Sequence, residues 1–400
     1  MIDVAHMTSP LKGIRVLEVG QFIAGPYAAM QLADLGAEVI KIERPDGGDP
    51  FRIFGAGGGA QGYSSNFTAF NRNKLSVTLN LGDARGQAVL HRLAATADVV
   101  VENFRPGVMK RLGIDADALR AINPRLVYCS IAGFSEDGPY REQPAYDTIG
   151  QARSGILGMF VEKDDPRMRG PTISDQITGM QACNGVIAAL FDRTRTGKGA
   201  RVEITLLEAS MYFMPDSFTA YTQGGVVMGP QTRAAISMAF TFACADGLLA
   251  LHPSSTEKFW RGLLAALERT DVGEDPRFID RPSRIRNFDA LIAEFQPVFA
   301  AKTRAQWMER LAAHDVPSAP VHSIPDAMED PEVKHLGVFY QYQHPRFGAF
   351  TGMHRSARID GERETDPLPP PALGEHTDRV LGSADITADE IARLRAAGIV

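Results

Sequence analysis

The stretch GIRVLEVGQFIAGPYAAMQLADLGAEVIKIE, residues 13–43, constrains the fold most. It reads as strand, tight loop, helix and strand, the opening of an α/β sheet. Glu43 closes the second strand, where a dinucleotide-binding fold keeps its ribose-binding acid. The loop between Gly20 and Gly25 lacks the G-x-G-x-x-G spacing that brings backbone close to a pyrophosphate. The unit therefore looks like a nucleotide-binding half that does not hold NAD in the usual way.

The alternation continues. Strands are predicted at Ile14–Val19, Glu38–Ile42, Ser76–Leu79, Val99–Glu102 and Leu126–Ile131, with helices at Ala84–Ala95 and Ala116–Ile122. Pro26 suits a helix start and Gly36 a helix stop. Asp46 to Tyr63 reads as a glycine-rich loop. Such a pattern gives a mostly parallel sheet, with ligands beyond the C-terminal strand ends. Gly20–Ala24, Arg44, Leu79–Gly82, Asn103–Arg105 and Ala132–Phe134 lie at those ends. A long helix is expected at Gln176–Arg195 and a strand at Val202–Leu206. Residues 223–238 lose periodicity and read as a linker or lid. A second module follows, with strands Ala239–Ala245 and Leu248–Leu251, helices near 256–267, 287–300 and 303–313, and an extended Pro317–Ser323. The last helix is near 388–397. The expected boundaries are a large domain over 1–203, a linker over 204–238, a small domain over 239–323, and a return to the large domain over 324–400.

Four hundred residues exceed one compact core. A formal net charge of −6 disfavours a nucleic-acid surface. The apolar runs are too short for a membrane span, and MIDVAHMTSP is not patterned as a secretory signal. Cys129, Cys183 and Cys244 are scattered, which suits a reducing cytoplasm, and no histidine or cysteine spacing suggests a metal site. The glycine cluster Gly55–Gly59 lacks the GK[ST] ending of a phosphate loop, and GxSxG is absent.

Asp175 opens the long helix. It can be a plain N-cap, the commoner use of such an aspartate, or a nucleophilic carboxylate. In the second reading, the helix terminus keeps it ionised and also faces a developing oxyanion. Tyr146 and Asp147 read as a turn before the small-residue segment Gly150–Gly158. Arg44, Lys74, Arg105 and Arg111 lie at or beyond strand ends, where together they could neutralise several phosphates. Phe240, Phe242, Trp260 and Met211–Met214 are either core or the wall of a pocket for a larger acyl group.

Six segments, in order, resemble the class III CoA-transferases. They are 11–52, FNRNKLSVTLNL (70–81), VVVENFRPGVMKRLGI (99–114), YDTIGQARSGI (146–156), TGKGARVEITLLEA (196–209) and LGEHTDRVL (373–381). The resemblance implies a Rossmann-like large domain, a smaller α+β domain and an interlocked homodimer. It implies an aspartate nucleophile at Asp175 in TISDQITGM, carrying acyl and CoA groups in turn as an anhydride and a thioester. It implies CoA contacts at Ile23 and Ala24, Arg44, Leu79 and Gly82, Asn103 and Phe104, Arg111, and Tyr146. Coenzyme A and acyl-CoA are then substrates, with a carboxylic acid as acceptor and no permanently bound cofactor.

Related racemases place a histidine before an aspartate where this chain has Tyr146–Asp147, which disfavours proton transfer by an imidazole. The lid region 228–240 has only Gly229, so lid closure differs from glycine-rich relatives. An acyl-CoA racemase and a non-catalytic acyl-CoA-binding protein stand as the alternatives to a transferase.

Overall fold

The computed structural model describes residues 9–55, 63–254, 257–344, 348–363 and 367–400. The chain divides into two compact units. The first comprises Met1–Ile156, Gly170–Met214 and Gly337–Val400, and the second Leu157–Arg169 and Pro215–Leu336.

The first unit is built on six parallel strands: β1 (Arg15–Val19), β2 (Glu38–Glu43), β3 (Lys74–Thr78), β4 (Val99–Glu102), β5 (Val127–Ala132) and β6 (Arg201–Thr205). Their order is β3-β2-β1-β4-β5-β6. Val16, Leu17, Val99, Val100 and Val101 are fully buried, as expected of strands covered on both faces. On one face, the helices Ala84–Ala94, Ala116–Ile122, Thr377–Gly382 and Ala388–Ala396 supply Leu90, Leu119, Leu381 and Leu394 to the core. On the other lie Ala24–Asp34 and the long helix Ser174–Thr196. A Cβ at Gly179 would come within 2.9 Å of the Ala24 carbonyl oxygen, so that glycine lets the two helices approach closely. Phe339–His344 and Gly348–Met353 pair as an antiparallel hairpin that sequence patterning did not predict.

The second unit has an antiparallel sheet of β7 (Phe240–Cys244), β8 (Gly247–Leu251) and β9 (Ser318–Pro320). Helices including Glu257–Leu267, Phe288–Ala300 and Arg304–Ala313 enclose an aromatic core. Phe242 stacks on Phe299 with ring centroids 4.3 Å apart, and Phe240 and Trp260 are buried in the same cluster. Those three aromatics are core and do not wall an acyl pocket. Residues 223–238 are not uniformly irregular, since Thr232–Ser237 is helical. Of the glycine cluster, residues 56–59 lie outside the described residues.

Candidate active site

In a doubly wound sheet, ligands bind where the strand order reverses. Here that point lies between β1 and β4. Asn103, just after β4, bridges it. The Gln21 peptide N–H donates to Asn103 Oδ1 (2.9 Å), and Asn103 Nδ2 donates to the Gln21 carbonyl (2.8 Å). A Cβ at Gly20 or Gly25 would lie 3.2 or 3.1 Å from the Asn103 side chain. The two glycines of this loop therefore make room for an asparagine.

The rest of the loop is pinned from below by buried charge. Lys41 pairs with Glu18 (2.7 Å) and Asp49 (2.9 Å) and donates to the Gly20 carbonyl (3.0 Å). Asp49 Oδ1 accepts from the Phe22 peptide N–H (3.2 Å). Phe22 adopts a left-handed φ of 66°, uncommon for a residue with a Cβ. Its ring packs edge-on against Phe51 and Tyr146, with centroids 5.2 and 5.6 Å away.

Glu43 cannot serve as a ribose acid. Arg52 grips both its oxygens (2.8 and 2.7 Å), and Ser76 Oγ donates to Oε2 (2.6 Å). Burial alone would raise its pKa, but the Arg52 bonds and charge overcome that and hold it below the usual range. Lys74 is likewise unavailable to phosphates. It begins β3, is fully buried, and binds Glu18 (2.7 Å), Asn71 (2.9 Å) and the Pro26 carbonyl (2.8 Å). Burial brings its pKa down to about 8 against the opposing pull of Glu18.

A cavity of about 310 Å³ opens at the switch point. Ile23, Ala24, Asn103, Phe104, Tyr146 and Asp175 all line it, together with Arg105, Arg141 and Gln143. Six of the ten residues singled out from the sequence thus meet in one place, although they span more than 150 positions. The other four do not line it. Arg44 and Arg111 are exposed after β2 and after β4, with no ion-pair partner among the described residues. Leu79 is buried in the sheet core, so only its backbone can face a ligand. Gly82 is exposed, its N–H bonded to Asn80 Oδ1 (3.0 Å).

Asp175 is not the N-cap of its helix. Ile173 is, and it offers no capping side chain. Asp175 sits one residue inside, and its peptide N–H donates to Asp147 Oδ1 (3.1 Å). Asp147 begins the helix Asp147–Ser154, where sequence patterning placed only a turn. Gln151 Nε2 donates to the other Asp147 oxygen (2.6 Å), an i,i+4 pair. Ser174 Oγ bonds Ser210 Oγ (2.7 Å), and a Cβ at Gly150 would lie 2.1 Å from Ser174 Oγ. The first turn of the long helix is therefore seated closely against Asp147–Ser154.

The Asp175 carboxyl is raised to about 7, by burial first and then by the Asp147 charge. The helix terminus, expected to hold it ionised, is outweighed by these two effects. A second, larger cavity of about 710 Å³ shares Phe104, Arg105 and Phe134 with the first. Glu102 lines it, pushed up to about 7 by burial. Ser130 Oγ and the Phe104 peptide N–H donate to Glu102 (2.5 and 2.9 Å), which orients the turn carrying Asn103. Among the described residues no group of three or more His, Cys, Asp or Glu is placed to hold a metal. No helix there is long and apolar enough to cross a membrane.

Gln151, Phe22 and Glu102 escaped sequence reasoning, and Asp147 was read only as a turn residue. Only the Asp147–Gln151 spacing, followed by Gly155 with φ 93°, carried a readable helix signal.

Comparison with known proteins agrees with this architecture. A crystal structure of a CAIB/BAIF family protein from Brucella suis superposes with a TM-score of 0.84 at 31% identity, covering 95% of this chain and 100% of that one. The succinyl-CoA:glutarate CoA-transferase of Mus musculus is 31% identical over 93% of this chain and 86% of its own length. The succinate–glutarate CoA-transferase of Agrobacterium fabrum is 31% identical over 96% of this chain and 98% of its own. CoA-transferase family III matches residues 11–377, and the chain belongs to that family as an enzyme of the CoA-transferase class.

Proposed function

We propose that the protein moves CoA from an acyl-CoA to a carboxylic acid with Asp175 as the covalent carrier. The observation that carries this reading is the seat of Asp175. It lies in the wall of the switch-point cavity, on a close-packed helix start, beside five other residues expected to meet CoA.

The Asp175 carboxylate attacks the thioester carbonyl, forming an aspartyl–acyl anhydride and releasing CoA thiolate. The thiolate returns to the aspartyl carbonyl, giving an aspartyl-CoA thioester and freeing the donor acid. The acceptor carboxylate attacks that thioester, and the thiolate then takes the new acyl group and regenerates Asp175. Each step exchanges one activated acyl bond for another, so no water is consumed and the activation is retained.

A carboxyl with a pKa near 7 is a more basic nucleophile than an ordinary aspartate, yet is substantially ionised at neutral pH. Ile23, Ala24, Asn103, Phe104 and Tyr146 would guide the pantetheine arm. Arg44, Leu79, Gly82 and Arg111 would meet the nucleotide end beyond the strands. Dicarboxylates are the substrate class to try first, because the relatives above are named for succinyl-CoA and glutarate.

We take the protein to work in the cytoplasm as a homodimer. The exposed run Met211, Tyr212 and Phe213 supports an interface with a second copy. Light scattering should give twice the chain mass. The catalytic reading is tested with Asp175→Ala, which should abolish transfer from succinyl-CoA to glutarate while CoA binding persists. Undiminished turnover would sink it.

A further inference from the structure

Asp147 is almost fully buried, and both its oxygens are engaged, by the Asp175 peptide N–H and by Gln151 Nε2. Gln151 is itself fully buried, and its Oε1 has no partner among the described residues. The pair is locked in place by Gly150, which admits Ser174 where any side chain would collide.

If capping were the whole task, a serine or asparagine would perform it as well, without setting two carboxyls side by side. A like charge beside Asp175 opposes its ionisation. Such a repulsive arrangement is intelligible if the charge acts on Asp175 itself. The other charged side chains around the cavity are Arg105, from the loop after β4, and Arg141, from the segment leading to Tyr146, which is the remaining titratable group. Neither arginine holds the Asp175 peptide N–H, which is bonded to Asp147.

We propose that Asp147 is the positioning residue of this site, holding Asp175 by its peptide N–H and placing a fixed negative charge beside its carboxyl. The proposal rests on the reading of Asp175 as the acyl carrier. When Asp175 is acylated it loses its charge, and the repulsion from Asp147 is relieved. The arrangement thus raises the free energy of the ionised resting enzyme relative to the anhydride and thioester, which favours their formation.

Asp147→Asn separates charge from capping. The new amide still accepts from the Asp175 N–H, and a half-turn of the Gln151 amide presents its unpartnered Oε1 to the introduced NH2. The protein is labelled with [13Cγ]aspartate, and the Asp175 carbon is assigned by its loss in Asp175→Asn. Its chemical shift should titrate with a midpoint near 7 in the native protein. In Asp147→Asn the midpoint should move toward acid. An unmoved midpoint overturns the proposal, because a purely structural cap would leave titration unchanged. If Asp147→Asn does not fold, Asp147→Ser is read in the same way. Failure of the acyl-carrier reading would show separately, as no adduct at Asp175 in the native protein exposed to succinyl-CoA, whatever the titration does.

Discussion

Replacing Asp175 with asparagine should stabilise the protein while abolishing its activity, and the gain should depend on pH. Asp175 has a pKa of about 7 in the folded chain against 3.8 for an unperturbed aspartate. The sign is the reverse of the usual carboxylate case. The folded state binds the proton more tightly than the unfolded state, so stability falls as pH rises from about 4 to about 7 and then levels off. Taken in full, the displacement corresponds to roughly 4 kcal/mol above neutral pH. Asp175 is only half-buried and keeps contact with solvent, so about 2 kcal/mol is the more realistic total. About half of that, on the order of 1 kcal/mol, develops between pH 5 and pH 8. Asp175→Asn is close to isosteric with the protonated acid and escapes this penalty. Differential scanning calorimetry should therefore show the variant's advantage in Tm growing by about 1–2 °C between pH 5 and pH 8. A Tm difference constant across that range, or one that shrinks, would refute the placement of Asp175 beside Asp147 in a partly desolvated wall.

Acylation of the native enzyme by succinyl-CoA should rise about tenfold from pH 6 to pH 8, because the ionised fraction of a group with a pKa near 7 rises by that factor. A rate flat over that range would contradict it. Gly150→Ala would drive a methyl group to within 2.1 Å of Ser174 Oγ, destabilising the protein by about 1–3 kcal/mol and displacing Asp175; thermal melts and initial rates should fall together. Arg44→Ala removes an exposed cation without an ion-pair partner among the described residues, so stability should change by less than about 0.5 kcal/mol. Its KM for the CoA ester should rise, most strongly at low salt.

The six parallel strands were legible because each is a short run carrying two or more apolar residues, with buried valines at 16, 99, 100 and 101. Their order was not, since β1 pairs with both β2 and β4 through contacts that no local pattern encodes. Lys74 illustrates the same limit. Its charge suggested phosphate binding, but its carboxylate partner Glu18 lies 56 positions away and takes it into the core. Asp175 stood out at a helix start, yet its partner Asp147 is 28 residues earlier, in a helix whose glycine disguised it as a turn. Phe22 carries no sign in the sequence of its left-handed backbone, which is imposed by Asp49 and the buried Lys41 beneath it.

The most direct measurement is to incubate the protein with succinyl-CoA, quench with hydroxylamine, digest, and sequence the peptides by mass spectrometry. Covalent carriage by Asp175 requires a hydroxamate at that residue in the native protein and none in Asp175→Ala. Turnover of succinyl-CoA and glutarate with no adduct at Asp175, or with the adduct on another residue, would contradict it.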